Sequence, residues 1–356
     1  MTLKSRTLAD ARRFLIPGPT KAALGLLVLL TPAVLQAAPA HADEDRDGFS
    51  VREGSAISLV VENDSLGGTD RNYSNGLYAS LMSAPGDVPD WFKRFATAFP
   101  NIESDQSLRR GLGVGHALYT PRDIDAPQAP PDQHPYAGWL YVSLLGVSED
   151  EANVRIVQLN LGVVGPAALG EEVQNNFHSL IGADEAEGWD DQLHNEPAFE
   201  LILTRQYRAV EGEAFGGLEF DIVPELNVSV GTVSTYAGAG VMARLGDRLQ
   251  RDFGPPRIRG GSAGASYFAK ADGGLSWYLF AGLESRAVAR NIFLDGNTFR
   301  DSPSVEREVW VNEVQAGIVL KRGRYQLGFT AVYRTEQFET QLDPQRFGAI
   351  SLSRRF

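Results

Sequence analysis

Apolar and polar residues alternate with a period of two along most of this chain. From Ser55 onward it divides into segments of about ten to fifteen residues separated by turn-rich stretches, the spacing of antiparallel strands rather than helices. Twelve segments run approximately over 55–64, 73–83, 107–120, 137–149, 153–164, 196–209, 215–230, 232–246, 275–291, 306–321, 323–337 and 346–356. In the fifth, Val157, Leu159, Leu161 and Val163 alternate with Gln158, Asn160 and Gly162. In the eleventh, Tyr325, Leu327, Phe329, Ala331 and Tyr333 alternate with Gln326, Gly328, Thr330 and Arg334, with Val332 the one exception. A soluble sandwich also alternates, but it hides its apolar row and has no reason to end it in tyrosines.

One stretch breaks this rhythm, NLGVVGPAALGEEVQNNFHSLIGADEAEGWDDQLHNEP from Asn160 to Pro197. Pro166 after Gly165 suits a helix start and Gly182 a stop. At helical pitch Leu169, Val173, Phe177, Leu180 and Ile181 share one side, and Glu171, Gln174, Asn175 and His178 share the other. The expectation is a short helix lying against an apolar surface and pointing its polar groups across a gap. A merely solvated polar face is the bland alternative.

The amino terminus sets the compartment. Basic residues Lys4, Arg6, Arg12, Arg13 and Lys21 precede an apolar run from Ala22 to about Leu35, and Ala40, His41, Ala42 form a small-residue cleavage site. Residues 1–42 therefore read as a secretory signal peptide and 43–356 as the mature domain. No other stretch reaches the roughly 18 apolar residues of a membrane helix. Removing five basic residues and one acidic residue leaves 28 Lys plus Arg against 44 Asp plus Glu, a net charge of −16. That balance excludes nucleic acid as the expected partner. With no cysteine in the chain, disulfides and thiolate chemistry are excluded too.

The chain ends in FGAISLSRRF, with Ile350, Leu352 and terminal Phe356 on one strand face. A terminal aromatic on an alternating strand after a signal peptide resembles the assembly signal of bacterial outer-membrane barrels. The expected fold is all-β: a 12-stranded antiparallel transmembrane β-barrel with a short extracellular helix over its outer rim. With both termini periplasmic, the outward turns fall at 65–72, 121–136, 165–195, 231, 292–305 and 338–345. The periplasmic side receives 84–106, containing WFKRFATAF from Trp91 to Phe99, and 247–274; both read as plugs or linkers. Gly111, Gly113 and Gly115, spaced by two, suit close packing in a barrel rather than a phosphate loop. Tyr136 and Trp139 read as membrane-interface belt residues, and His116 as structural or lumenal.

This sorting gathers distant polar clusters at one rim: Glu62, Asn63, Asp64; Thr69, Asp70; Asn72 to Gly76; Tyr119, Thr120; His134 to Trp139; and the helix bearing His178. Four of these pieces, ENDSLGGTDRNYSNGLY (Glu62 to Tyr78), LYTPRD (Leu118 to Asp123), HPYAGW (His134 to Trp139) and GPAALGEEVQNNFHSLIG (Gly165 to Gly182) followed by GWDDQLHNEP, resemble the outer-membrane lipid A 3′-O-deacylase family. The resemblance implies calcium-dependent hydrolysis of the ester holding the 3′-linked acyloxyacyl chain of lipid A in lipopolysaccharide, at the outer leaflet. By the same resemblance His178 matches the catalytic base, Asn63 and Asp64 match an Asn, Asp pair with a metal role, and Ser74 falls where the family has Thr or Ser. A histidine can deprotonate water near neutral pH, oxygen ligands suit calcium, and a cation can stabilise an oxyanion. Arg122, His134 and Gln174 are the candidate substrate contacts. The family's lysine in the loop after the third strand has no counterpart between Arg122 and Pro131, so Arg122 is the substitute for a phosphate contact.

Two other classes compete. Tyr73, Ser74, Asn75, Gly76 is similar to the H-x-S-N pattern of serine-using outer-membrane phospholipases and of another lipid A deacylase, but position 72 is Asn, so that adjacent base is absent. A non-catalytic barrel predicts an open lumen, which Gln158, Asn160, Arg286 and Arg334 would instead fill. The expected partners are lipid A and outer-membrane lipids, and the expected state is a monomer.

Overall fold

The computed structural model describes residues 51–64, 72–99, 102, 107–182, 184–249, 252–258 and 274–356, and the expected leader over 1–42, like Thr69 and Asp70, lies outside them. The strands are β1 (Ala56–Asn63), β2 (Asn72–Met82), β3 (Arg109–Thr120), β4 (Ala137–Glu149), β5 (Asn153–Val164), β6 (Glu196–Tyr207), β7 (Val210–Glu213), β8 (Glu219–Gly231), β9 (Ser234–Gly246), β10 (Leu275–Asn291), β11 (Trp310–Arg322), β12 (Tyr325–Arg334) and β13 (Gln345–Arg355). Neighbours pair antiparallel in chain order, β1 pairs with β13, and β6 pairs with β8. The ring therefore closes with twelve strands, and the four-residue β7 is a flap on the edge of β8. Closure satisfies every strand edge, as a wall facing lipid requires. The seventh segment starts at Glu219 rather than 215, because the chain first doubles back through a turn at Phe215–Gly217 whose two glycines adopt φ of 71° and 76°.

The alternating apolar rows face outward. Leu112, Val114, Val142, Leu161, Phe199, Leu226, Leu279, Leu283 and Phe329 are exposed, whereas Glu62, Glu200, Glu225, Arg257, Glu284, Glu313 and Arg334 are buried. This inverts a water-soluble protein and is the pattern of a barrel whose outer solvent is hydrocarbon. β12 shows it residue by residue, with Tyr325, Phe329 and Ala331 exposed and Gln326, Thr330 and Arg334 buried. Val332 points inward, where it joins an aromatic cluster.

The lumen is filled from both ends. Residues 252–258 thread up it from the end where the termini lie. Asp252 meets Arg244 at 2.6 Å and is paired with Lys321, and Arg257 reaches Glu62 at 3.2 Å and Glu313 at 2.7 Å. Glu313 also takes Arg286 at 3.3 Å and Arg334 at 2.8 Å. At the far end the short helix Ile292–Asp295 drops Phe293 onto Tyr119, with ring centroids 4.1 Å apart. Tyr73, Trp139, Tyr141 and Phe347 complete that layer. On the β3 side, a Cβ at Gly113 or Gly115 would collide with the Tyr78 or Tyr141 ring, so these glycines do serve close packing. Among the described residues the lumen keeps a cavity of about 130 Å³, room for about ten waters.

Of the two terminus-side loops expected to be plugs or linkers, 252–258 is a plug, and the described part of 84–106 stays outside the lumen as a linker. Helix α1 (Asp90–Thr97) lies outside the wall, with Phe92 and Ala96 against Gly146 of β4 and Val157 of β5. Its apolar stripe matches the outward row of β4 to β6, where Leu144, Val157, Leu201 and Leu203 receive it.

Arg257→Ala leaves Glu62 and Glu313 buried with a lost partner, a change that costs about 3 kcal/mol. The expected result is a lowered urea midpoint for the refolded barrel in lipid vesicles, with Arg257→Lys intermediate.

Candidate active site

The four catalytic candidates come from three places in the chain, the end of β1, the start of β2 and the helix after β5, and Asn63 and Ser74 are directed to the lipid-facing side of the wall. On β1 the even residues Ser58, Val60 and Glu62 face the lumen, so Asn63 faces out. On β2 simple alternation would send Ser74 inward. A bulge prevents this: Tyr73 pairs with Tyr119 and Asn75 with Leu118, leaving Ser74 as the extra residue. The Tyr73 ring stays in the lumen and its hydroxyl donates to Glu62 at 3.0 Å. Ser74 turns to the outer face, where its hydroxyl lies 2.6 Å from that of Thr120 on β3. Re-aiming a side chain is what such bulges do beside functional sites. Asn63 then donates from Nδ2 to the Ser74 carbonyl at 3.0 Å, tying β1 to the bulge. Asp64, the next residue, is 1 % exposed.

Helix α2 (Gly170–Ile181) lies against the outside of β3 and β4, beside this patch. It follows a 3-10 turn over Pro166–Ala168 and a left-handed Leu169, and it ends at Gly182, whose φ is 73° and whose N–H donates to the His178 carbonyl. Glu171 and Glu172 in its first turn oppose the positive end of the helix dipole. Gly170 sits so close to the wall that a Cβ there would be 2.6 Å from the Trp189 ring and 3.2 Å from Leu118. Gly138 of β4 makes matching room, 3.2 Å from Ala168 and 3.3 Å from Gly170.

The helix faces the opposite way from the sequence expectation. Gly170, Gln174 and His178, four residues apart, are its buried face, while Leu169 and Val173 are exposed. The side chains of Leu180 and Ile181 lie outside the described residues. The physical reason is that the returning chain meets the polar face with hydrogen bonds, while the apolar edge is left on the outer side of the barrel. Trp189 Nε1 donates to Gln174 Oε1 at 2.8 Å, and the Ala186 N–H donates to Asn175 Oδ1 at 3.0 Å. His178 Nδ1 donates to the Asp184 carbonyl. A carbonyl only accepts, so Nδ1 carries the hydrogen, and in the neutral ring Nε2 is the basic nitrogen.

The substrate-contact candidates fare differently. Arg122 is exposed at the rim and lines a small cleft with Asn72, Asp132 and Leu342. Gln174 is 4 % exposed and spends its oxygen on Trp189, while its Nε2 is buried with no hydrogen-bond partner. His134 is not a surface cation. It is 2 % exposed, stacked on Tyr119 at 5.3 Å, and its Nδ1 donates to the Pro135 carbonyl at 2.8 Å; burial pushes its pKa down to about 4. Tyr136 and Trp139 are likewise fully buried rather than interfacial. Tyr136 packs on Trp189 under α2, and Trp139 stacks on Tyr141 inside the barrel. His194 serves as backbone, bonded through its N–H and carbonyl to Asn297 at 2.8 Å each.

A sequence profile of the family described as "Outer membrane protein LpxR" matches residues 26–356. The chain belongs to the LpxR family. Among solved structures, LpxR from Salmonella typhimurium superposes with a TM-score of 0.69 at 21 % identity, covering 85 % of this chain and 100 % of that one. The β domain of the Bordetella autotransporter BrkA covers 85 % of this chain and 99 % of its own, with a TM-score of 0.40 at 11 % identity. A search of curated protein sequences finds no significant match. This is the outer-membrane deacylase family that the four motifs resemble, and the twelve-stranded barrel expected of an LpxR relative is the fold observed.

Sequence reasoning passed over two residues of this LpxR-family site. Thr120 was quoted only as a strand end, yet its hydroxyl fixes Ser74. His116, read as structural or lumenal, points outward, and its Nε2 donates to the Ala168 carbonyl at 2.7 Å, fastening the start of α2 to β3. The signal was available in the parity of β3, where Leu112, Val114 and His116 share a face.

His116→Ala removes one hydrogen bond worth about 1 kcal/mol. Amide exchange across α2 is expected to quicken about fivefold, with His116→Gln restoring the donor and most of the protection. His134 supplies a pH test. Its folded pKa lies below the unfolded value of about 6.5, so the unfolded chain binds the extra proton between the two values. Its contribution is constant above about 6.5 and lost by about pH 4, up to about 3 kcal/mol. Titrating stability across that window should show a smaller slope in His134→Phe.

Proposed function

We propose that this protein is a lipid A deacylase of the outer leaflet that hydrolyses the ester of the 3′-linked acyloxyacyl chain of lipopolysaccharide with a histidine-activated water. The observation that carries the reading is the gathering of Asn63, Ser74, Thr120 and the His178 helix on the outer face of the wall at the rim opposite the termini. A substrate whose acyl chains lie in the membrane and whose sugar lies at its surface approaches that face, not the lumen. Leu169 and Val173, exposed on α2, offer apolar contact to such chains.

In this mechanism Nε2 of His178 takes a proton from water as the water oxygen attacks the ester carbonyl carbon. The Nδ1 hydrogen bond to Asp184 holds the ring in the tautomer that makes Nε2 the base. Negative charge develops on the former carbonyl oxygen, and the buried Nε2 of Gln174, one helical turn from His178, is a donor suited to it. The tetrahedral intermediate collapses with cleavage of the bond to the sugar oxygen, and the proton held on His178 goes to that departing alkoxide. The products are a free acid and a sugar hydroxyl. Arg122 at the rim is a cation for a substrate phosphate.

Calcium fits the residues as a weakly held ion. Asn63, Asp64 and the hydroxyls of Ser74 and Thr120 form a hard oxygen set, but among the described residues no three His, Asp or Glu side chains are arranged to hold a metal. Asn63 and Asp64 would hold the ion, which when bound supplies positive charge to the oxyanion. With one carboxylate, half-saturation is expected at roughly 0.1–1 mM.

The test is mass spectrometry of lipid A after incubation with the purified chain in detergent, with calcium, with chelator, and with His178→Ala. Loss of an acyloxyacyl mass that requires both calcium and His178 supports the reading. Since a well-placed general base contributes about 10²–10⁴-fold, His178→Ala should fall by at least the lower figure. Release that survives chelation but vanishes in Ser74→Ala would replace it with an acyl-enzyme mechanism. Release from phospholipid alone would reassign the substrate.

A further inference from the structure

Helix α1 provides a second lipid-contacting element at the opposite end of the barrel from the candidate active site. It is not a loop decoration: Phe92 is fully buried and Ala96 likewise, against outward-facing Leu144, Gly146, Val157, Leu201 and Leu203. These wall residues lie within a few positions of the strand ends on the terminus side, at Glu149 and Asn153. At about 3.4 Å per residue that is the last ~15 Å of the wall. The helix is thus fixed on the membrane side of the sheet. Its apolar stripe is turned to protein, so the helix residues left exposed are Asp90, Trp91, 48 % exposed, Arg94 and Thr97; Asp90 is paired with Lys93 at 3.6 Å, which leaves Arg94 as the cation beside Trp91.

We propose that α1 is a docking element for the headgroups of anionic phospholipids in the leaflet that surrounds the terminus end of the barrel, with Trp91 seated at the acyl–headgroup boundary and Arg94 on the phosphate. Tryptophan is enriched at that boundary because its ring is apolar and its N–H polar. A basic side chain beside it gains from the negative surface of such a leaflet. The exposed belt of Leu112, Val114, Val142 and Leu161 runs along the same outer face toward the other rim. A fixed contact at α1 therefore sets how deep the barrel sits, and with it the height of the far rim. The proposal depends on the barrel's membrane location, not on the reaction proposed above.

The test uses the full chain in phosphatidylcholine vesicles containing a minor fraction of lipid brominated near the headgroup, either phosphatidylglycerol or phosphatidylcholine. The chain has five tryptophans, so the Trp91 signal is the difference between the native protein and Trp91→Phe. Each basic side chain at an anionic surface is worth about fivefold in local lipid concentration. The Trp91 signal should be quenched by both lipids, about three- to fivefold more effectively by phosphatidylglycerol. Arg94→Gln should abolish that preference while leaving quenching by phosphatidylcholine intact. Quenching by aqueous iodide with no response to brominated lipid would put α1 in water and overturn the proposal. Equal quenching by the two lipids in the native protein would overturn the anionic headgroup as its ligand.

Discussion

Closure of the sheet is the constraint on which everything else rests. β6 reaches past the short β7 to pair with β8, and only with that seam made are the backbone groups of all twelve strands satisfied without water. Once the ring is closed, its interior is a narrow, low-dielectric channel into which half of every strand must project. Natural selection has filled it with charges that neutralise one another. Glu313 is shared by Arg257, Arg286 and Arg334, and the stretch from Asp252 to Arg257 is drawn up the axis between two such clusters. The charged core fixes the register of the barrel, and the apolar rows are released to the outside.

A filled lumen decides where chemistry can occur. Aromatic packing at the rim, from Phe293 on Tyr119 to Phe347 beside Tyr73, leaves no opening for a large amphiphile. The candidate site lies instead on the outer surface of the wall, and two local departures from regularity shape it. The β2 bulge turns Ser74 through the sheet while keeping Tyr73 inside. The glycine pair Gly138 and Gly170 lets α2 lie flush, so that His178 is buried by protein on a surface that would otherwise belong to lipid.

Most of the architecture was readable because its signal is periodic. Twelve segments, their order and the sorting of loops to two ends follow from alternation and turn residues, and Pro166 and Gly182 bracket α2 within a few residues. The likeness of four short motifs assigned Asn63, Asp64, Ser74 and His178 to one rim, and their parent strands do converge there. What alternation cannot state is which solvent each face meets. The α2 pattern has two clean sides, yet Gln174 and His178 of the polar side are inside and Val173 is outside, because the returning chain packs on the polar groups. The same ambiguity left α1 open as either plug or linker. Single-residue insertions are equally silent, since the Ser74 bulge needs the partner strand to be seen. Tyr136 and Trp139 were expected at the membrane interface and His134 at the rim on residue type alone; loop packing buries His134 and Tyr136, and the lumenal aromatic layer takes Trp139.

The orientation of His178 shows how the outer wall can hold a histidine ring in one state. A histidine facing hydrocarbon with nothing to bond would hold no defined tautomer, and one facing bulk water would be free to rotate. Here the chain returns after α2, offers the Asp184 carbonyl to Nδ1, and pins the helix again through Asn175 and Gln174. The ring is oriented by main chain that the helix itself holds in place. His116, Thr120 and Leu118 on one face of β3 provide the floor. A site assembled this way needs no lumen and no second domain: a bulge, two glycines and a returning loop suffice to turn the outside of a barrel into a cleft.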